Sequence, residues 1–423
     1  MEKNIKLDWY PCEEFKKSRV MRSKSSLILR PTGIKTLPES GLREMNNVKK
    51  ELKALLPSLN RAEIRRLRIP YRDAVLYELE ENHYPDSAKY LRNLFSLDEE
   101  IRQFFGPDTL EWEKPRLENN KELIDILIDG LKVVEETKRK RKIIQEAVQL
   151  LKLALFFQSQ SSEWWWIADE LYKSSLTAGK RISGDEFRTI TVIRYLYGRF
   201  LLGSLKKPEV ALDYLNYARN SSEGKSWSAS KILNEQQATI FTESNGLLYK
   251  ALLDIGKNTD KENAEDAAKI YEEALHRAVD NGCKNYIAKA LQELGRCCLE
   301  IGEVQNALRH FSKLLAMAKR IPDPDVVCSA YMGLAFTHKE LGDHSGTEKY
   351  FQLARETALE FQLLNNLADA HYSTGNYYLN KIPAKPDLAT KHLEKALELY
   401  QEFGIMDKAE IARFSAAAAK GTK

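Results

Sequence analysis

Small residues recur at intervals of 40 positions in the second half of the sequence, at Gly295, Ala335 and Gly375. A large residue stands four positions before each of them and another three positions after. Residues spaced three and four apart share one face of a helix, and small residues allow a second helix to approach closely. Each unit is therefore predicted to be a pair of packed helices. A chain that repeats such pairs folds as a solenoid, in which each unit packs on its neighbours.

A second triplet follows each first helix, with small, large and small residues spaced four and three apart, as in Ala389, Leu393 and Ala396. Ala307, Phe311 and Leu314 have the same spacing, with a large residue in the third position. This order resembles the tetratricopeptide pattern, whose ordinary period is 34, so the helices are expected to be longer than usual. We predict an all-α fold, a tetratricopeptide-repeat right-handed helical solenoid with an N-terminal helical region. Earlier, less regular copies are predicted around Gly246 with Tyr271, Gly198 with Leu215, and Leu150 with Trp166.

The pattern divides the chain into five predicted regions. Prolines, glycines and basic residues without periodicity predict an extended basic arm over residues 1–45. A helical hairpin region and linker are expected over 46–118, and a long helix with a degenerate first repeat over 119–190. About five repeats with a period near 40 occupy 191–410, and a capping helix end and tail occupy 411–423.

Composition limits the partners that the chain can have. The 65 basic and 61 acidic residues give a net charge of +4, so no overall field favours nucleic acid, and no apolar run is long enough for membrane insertion. Five cysteines without metal-site spacing are expected to be reduced thiols of an intracellular protein, with no bound metal. Partners are expected to be proteins, recognised locally.

Sequence motifs for catalysis are missing from the chain. It has no Walker-type GxxxxGK, GxGxxG, HExxH or GxSxG sequence. His338 and His371 occupy large-residue positions of the repeat, where packing is favoured over ligation. We therefore expect that the protein is not an enzyme and that it uses no cofactor.

Two local features carry a functional alternative. The basic run from Lys138 to Lys142 is compatible with a nuclear signal or a phosphate site, but Glu135 and Glu136 precede it and favour a solvated helix face. The run Trp164, Trp165 and Trp166 cannot enter one core, because successive helical residues turn by about 100°. These tryptophans are candidates for surface aromatic residues at an interface or for packing against the preceding helix.

The concave face of such a solenoid is lined mostly by first helices, and the repeat register predicts which side chains face it. Co-chaperones of this class that grip a terminal carboxylate share a Lys and Asn clamp, which is missing at the matching positions here. The surface is mixed, with aromatic and apolar residues between few charges. The groove candidates are Tyr195, Arg199, Glu243, Leu247, Gln292, Arg296, Met332, Phe336, Tyr372 and Asn376.

Three segments resemble the family of tetratricopeptide repeat protein 29, which belongs to the axoneme of motile cilia and sperm flagella. They are AEIRRLRIPYRDAVLYELEENHYPDSAKYLRNLF at 62–95, LALFFQSQSSEWWWIADELYKSSL at 153–176, and GKSW at 224–227 followed by NGLLYKALLDIGK. The resemblance implies a non-catalytic scaffold of axoneme assembly and flagellar beating, located in the cytoplasm and cytoskeleton, at the flagellar axoneme. It also implies contacts with axonemal dynein or intraflagellar-transport components.

Two other functions stay open at the level of the sequence. Repeats of 40 residues also occur in kinesin-light-chain-like and spindle-orientation scaffolds, so the chain is compatible with an adaptor for motor or polarity proteins. The groove or the tryptophan run is also compatible with a regulatory subunit that modulates an enzyme.

Overall fold

A computed structural model describes residues 39–55, 60–260, 263–320 and 323–421. Within these ranges the chain forms helices joined by turns, with no strand, which confirms the all-α prediction. None of the described helices is both long enough and apolar enough to span a bilayer. The chain divides between Ile69 and Pro70 into two compact units.

The first unit contains two helices within its described part, α1 (Glu39–Leu55) and α2 (Arg61–Arg68). Asn60 caps α2, because its side chain accepts from the Glu63 N–H while the Glu63 carboxylate accepts from the Asn60 N–H. The predicted arm was placed at 1–45, but residues 39–45 belong to α1. Residues 1–38 of that arm lie outside the described residues.

The second unit begins with a helical hairpin, α3 (Tyr71–Glu81) and α4 (Pro85–Phe105). The short α5 (Leu110–Glu113) and a 3-10 turn (Leu117–Asn119) follow. Arg102 fixes this linker from α4, since its guanidinium donates to the backbone oxygens of Trp112 and Pro115 and pairs with Asp98. A hairpin and linker were predicted in this region.

The single long helix expected near the start of 119–190 is instead two packed helices, α6 (Lys121–Arg139) and α7 (Ile143–Ser159). The chain turns at Arg141, whose φ of 54° lies in the left-handed region and ends the helical path. The basic run therefore sits at a turn. Lys138 pairs with Asp86 at 2.6 Å, and Arg139 pairs with Glu135 at 2.7 Å.

Helix pairs then repeat to the end of the described chain, and the first and second helices of each pair contact each other. This arrangement confirms the tetratricopeptide-type solenoid. The degenerate first repeat is α7 with α8 (Trp165–Gly179), and the final capping helix is α20. The remaining helices are α9 (Arg188–Gly203), α10 (Pro208–Ser222), α11 (Ser230–Leu233), α12 (Ile240–Thr259), α13 (Ala264–Asn281), α14 (Lys284–Ile301), α15 (Val304–Ala318), α16 (Pro324–Glu340), α17 (His344–Glu360), α18 (Leu364–Asn380), α19 (Pro386–Glu402) and α20 (Met406–Gly421).

The small residues of the pattern lie where the two helices of a pair approach most closely. A Cβ atom added at Gly295 would stand 2.8 Å from the ring of Phe311, and one at Gly375 would stand 2.6 Å from Leu393. Both large side chains are buried. The sequence pattern therefore corresponds to the packing of each helix pair, in which a large residue of the second helix lies against a small residue of the first.

The repeat built on α12 has a different register from the predicted one. The prediction placed its small residue at Gly246, but the residue beneath the buried ring of Tyr271 is Gly256, where a Cβ would stand 2.6 Å from that ring. The reason is that α12 continues to Thr259, through residues assigned to a polar turn. Gly256 lies 39 positions before Gly295, so the regular spacing begins one repeat earlier than predicted.

An insertion between α10 and α12, residues 224–239, folds back on the solenoid, and we call it the strap. It contains α11, whose Ile232 and Leu233 pack on the apolar core. The Tyr195 hydroxyl donates to the side-chain oxygen of Gln237 in the strap at 3.2 Å. The strap therefore covers part of the face formed by α9.

Candidate functional site

The first helices α14, α16 and α18, together with α20, form two adjoining clefts of about 420 Å³ each. Neighbouring members of this set contact one another, so one continuous wall supports both clefts. Met332, Phe336 and Asp369 line both of them. The other lining residues that matter here are Gln292, Glu293, Arg296, Ser329, Asn366, Tyr372, Ser373, Lys408 and Ile411. We call this surface the C-terminal groove.

Apolar and aromatic side chains form the middle of the C-terminal groove. Phe336 is 36 % exposed, and its ring meets that of the buried Phe351 edge-to-face at 5.6 Å. Met332 and Tyr372 are half-buried beside it. A ring held by a buried partner yet open on one side is a suitable anchor for another chain, because little side-chain freedom is lost on contact.

Carboxylates surround the arginine at one end of the groove. The Arg296 guanidinium pairs with Asp260, with Glu293 at 3.2 Å and with Glu300 at 2.7 Å. Burial alone lowers the pKa of Arg296, but the hydrogen bonds to Asp260 and Glu293 raise it above its ordinary value. Burial likewise raises the pKa of Glu293, while Lys289 and Arg296 together bring it below the usual range. The charged groups at this end are paired with one another.

Asp369 is the carboxylate that both clefts share. Its Oδ1 accepts from the Tyr400 hydroxyl at 2.5 Å and from Lys408 at 2.7 Å, and its side chain is 44 % exposed. No described residue donates to its other oxygen, Oδ2. Asp369 is therefore held in place by α19 and α20 and keeps acceptor capacity for a further donor.

The cysteines near this groove are free thiols. Cys297 donates to Asp260 at 3.3 Å, and burial with this carboxylate raises the pKa of its thiol to about 12. Burial also raises the pKa of Cys328, which lines the groove, to about 11. Both are in the protonated form at neutral pH. Among the residues that the structure describes, no group of three or more His, Cys, Asp or Glu side chains is arranged to hold a metal ion.

The structure brings five of the ten predicted groove residues together, and these are Gln292, Arg296, Met332, Phe336 and Tyr372. Asn376 lies one turn farther along α18 and does not line the clefts. Glu243 and Leu247 lie in the first half of α12, because the predicted register there was displaced toward the N-terminus. Gln292 and Arg296 stand three positions before and one position after Gly295. The equivalent residues of α12, counted in the same way from Gly256, are Leu253 and Lys257.

Tyr195 and Arg199, the remaining groove candidates, lie beside the strap. Tyr195 is only 1 % exposed, so its ring is not available on a free surface. Arg199 lines a smaller cleft of about 320 Å³ together with Leu196 and the strap residues Ile232 and Leu233. The strap was not predicted as a cover, since its sequence has no periodic pattern that would place it on α9.

The three tryptophans lie at the start of α8 in different environments. Trp164 is buried, so it is not a surface aromatic residue. Trp165 and Trp166 are half-buried against the core. The Trp165 indole N–H donates to the backbone oxygen of Gln158 at 3.1 Å, and its ring meets Phe200 edge-to-face. Trp165 therefore contacts both the preceding helix α7 and the following helix α9.

A further cleft of about 560 Å³, between α4, α6, α7 and α8, was not predicted from the sequence. Two buried carboxylates stand in its wall. Glu135 accepts from the Ser87 N–H and hydroxyl, and Glu146 pairs with Arg181 through both oxygens at 3.2 Å. This cleft was missed because single Glu residues within amphipathic helices do not indicate a binding site in the sequence. Both buried carboxylates are paired with a cation, Glu135 with Arg139 and Glu146 with Arg181.

No protein-family model matches the sequence, and no curated protein matches it. Solved structures with a similar backbone arrangement include a signal-transduction ATPase of the STAND class with a tetratricopeptide repeat sensor from Pyrococcus horikoshii (16 % identity, TM-score 0.40). The match covers 92 % of this chain, which spans 50 % of that protein's length.

Two other solved structures are similar at the same level. A putative kinesin light chain with TPR-like repeats from Podosopora anserina has 14 % identity and a TM-score of 0.32, with 50 % of this chain and 94 % of that chain covered. Aspartyl phosphate phosphatase F from Bacillus subtilis has 14 % identity and a TM-score of 0.34, and the match covers 92 % of this chain and 96 % of that chain. These values are low, and the assignment of the fold rests on the helix pairs described above.

Proposed function

We propose that this chain is a non-catalytic protein-interaction scaffold and that a partner protein binds in the C-terminal groove. The observation that carries the proposal is the apolar surface of Met332 and Phe336, which line both adjoining clefts, together with Tyr372, which lines one of them. Aromatic residues in such a setting dominate the free energy of protein association, whereas the paired charges around them contribute little until they are desolvated.

We place this scaffold in the axoneme of motile cilia and sperm flagella, where it supports axoneme assembly and beating. The support for this part is the resemblance of residues 62–95, 153–176, 224–227 and 245–257 to the family of tetratricopeptide repeat protein 29. Axonemal dynein and intraflagellar-transport components are the proposed partners, and the cytoplasm and flagellar cytoskeleton are the proposed locations.

Proximity labelling in flagellated cells tests both parts at once. A tagged wild-type chain is expected to be found along the flagellum and to label dynein or transport proteins. Phe336→Ala is expected to lose most of this labelling. Phe414→Ala is the matched control, because Phe414 is 67 % exposed on α20 and does not line the groove.

Thermal denaturation of each variant checks that the solenoid is intact. A uniform cytosolic signal would contradict the axonemal location. Equal labelling by the wild type and Phe336→Ala would contradict the groove as the binding surface. Labelling of polarity proteins would favour an adaptor for such proteins over the axonemal scaffold. Labelling of an enzyme whose activity differs in the presence and absence of the chain would favour a regulatory subunit.

A further inference from the structure

We propose that the C-terminal groove binds a partner segment in which a bulky apolar side chain lies next to a lysine or arginine, with the cation paired to Asp369. This inference rests on the proposed function and specifies the chemistry of the partner. The apolar side chain would contact Met332 and Phe336, which line both clefts together with Asp369, and Tyr372, which lines one of them.

The side chains that line the two clefts carry two carboxylates and two cations, so their own charges balance. The groups bonded to these walls add three carboxylates and one cation, which brings the whole set to five carboxylates against three cations, a net charge of −2. These groups are Asp260, Glu293, Glu300, Asp325 and Asp369, with Lys289, Arg296 and Lys408. The excess of carboxylates in this set favours a basic segment over an acidic one at the groove.

Neither lining cation is available to an acidic partner. Arg296 already faces Asp260, Glu293 and Glu300, and Lys408 is paired with Asp369. An acidic ligand would have to displace one of these carboxylates and would meet repulsion from those that remain. A lysine or arginine needs no displacement, because Asp369 has an oxygen to which no described residue donates.

The geometry also places the apolar and charged contacts side by side. Asp369, Tyr372 and Ser373 lie on one turn of α18, and Met332 and Phe336 lie one turn apart on α16. The Tyr400 hydroxyl and Lys408 hold the Asp369 carboxylate by its Oδ1. The carboxylate is thus oriented before a partner arrives, which reduces the entropy lost when a cation pairs with it.

Fluorescence anisotropy with the purified full chain tests the inference. The probes are three fluorescein-labelled synthetic peptides of about 12 residues with the same central Phe and Leu and with flanks of lysine and arginine, of glutamate, or of serine. The basic peptide is expected to bind most tightly, and its affinity is expected to fall as NaCl rises from about 50 to about 300 mM.

Matched variants locate the contact. Asp369→Asn is expected to weaken binding of the basic peptide by about 3- to 5-fold, which corresponds to one partly exposed charge pair. Asp369→Glu retains the charge and is expected to restore most of the affinity. Phe336→Ala is expected to weaken binding by about tenfold or more. Glu360→Gln makes the same charge change as Asp369→Asn on the exposed end of α17 and is expected to have no effect.

The outcomes separate this inference from the proposed function. Tighter binding of the glutamate peptide, or equal binding of the basic peptide to the wild type and Asp369→Asn, overturns the inference. If Phe336→Ala abolishes the binding of a peptide, whatever the charge of that peptide, the groove remains the binding surface. If none of the three peptides binds, the inference fails, and the labelling experiment in cells still decides the proposed function.

Discussion

Phe311 shows how closely single residues are fitted in this solenoid. Its buried ring lies between Gly295 on α14 and Gly333 on α16, so that two consecutive repeats share one aromatic side chain. A Cβ atom at Gly333 would overlap the ring at Cδ1 and Cε1. The ring cannot move toward α14 to make room, because Gly295 leaves space there only for its hydrogen.

We therefore expect Gly333→Ala to lower the stability of the protein. Alanine gains about 1 kcal/mol of helix propensity over glycine, but overpacking a fixed ring costs about 1–3 kcal/mol, so the clash outweighs the gain. Gly203→Ala is the control, since nothing lies within 4 Å of a Cβ at that position. Thermal denaturation is expected to show a lower Tm for Gly333→Ala and an equal or higher Tm for Gly203→Ala. An increase in both would contradict this account of Phe311.

A pair of histidines joins the helices of the last repeat, α18 and α19. Nδ1 of His371 and Nδ1 of His392 are 2.9 Å apart, so one ring must donate and the other accept, and two neutral rings can do this. The pKa of each ring is lowered to about 4, and burial is the largest cause for both. The remaining causes are the neighbouring His392, Arg355 and Lys395 for His371, and Arg355 and Lys391 for His392.

The sign of the pH dependence follows from these pKa values. Between about pH 6.5 and pH 4 the unfolded chain binds more protons at these histidines than the folded chain, so stability falls as pH is lowered through this window. Above it the pair contributes no pH dependence. Denaturant midpoints at about pH 7.5, 5.5 and 4.5 measure the effect.

A variant without the pair, His371→Asn with His392→Asn, is expected to lose less stability than the wild type between these pH values. The control is His276→Asn, which changes an exposed histidine on α13. It is expected to follow the wild type. If the double variant and the wild type lose the same stability on acidification, the pair is not the group that titrates.

The sequence predicted the helix pairs well where their packing depends on residues close in the chain. Gly295, Ala335 and Gly375 were found because close approach of two adjacent helices requires small side chains at a fixed spacing. The turn at Arg141 was missed, since lysine and arginine are good helix formers and nothing in KRKRK indicates a left-handed residue. The register of α12 was missed because this helix contains two glycines, Gly246 and Gly256, either of which can be the small residue, and only the ring of Tyr271 distinguishes them.

The groove could be predicted only in part for a similar reason. Helical periodicity gives the direction of a side chain, and the structure brings five of the candidates chosen in this way to the two clefts, namely Gln292, Arg296, Met332, Phe336 and Tyr372. It does not reveal what covers that surface. Tyr195 has the same place in its repeat as Gln292, yet the strap lies on it, and this contact depends on residues 42 positions apart.

At the scale of the whole second unit, a solenoid transmits stability mainly between neighbouring repeats, since each helix pair contacts the next. The last helix, α20, covers the final pair through Ala409, Ala412, Ala416 and Ala419, which are all buried. It also supplies Lys408 and Ile411 to the C-terminal groove. Removing α20 would uncover Leu393, Leu399 and Tyr400 on α19.

We expect a chain that stops after Glu402 to lose protection from amide hydrogen exchange in α18 and α19, with a smaller loss in α16 and none in α7–α10. This gradient follows because few contacts extend beyond adjacent repeats. Phe414→Ser is the control, since it changes an exposed side chain of α20 and leaves the buried alanines in place. Hydrogen exchange with mass spectrometry measures each helix separately. A uniform loss of protection along residues 143–402 would mean that the repeats unfold as one cooperative unit and that coupling extends through the whole solenoid.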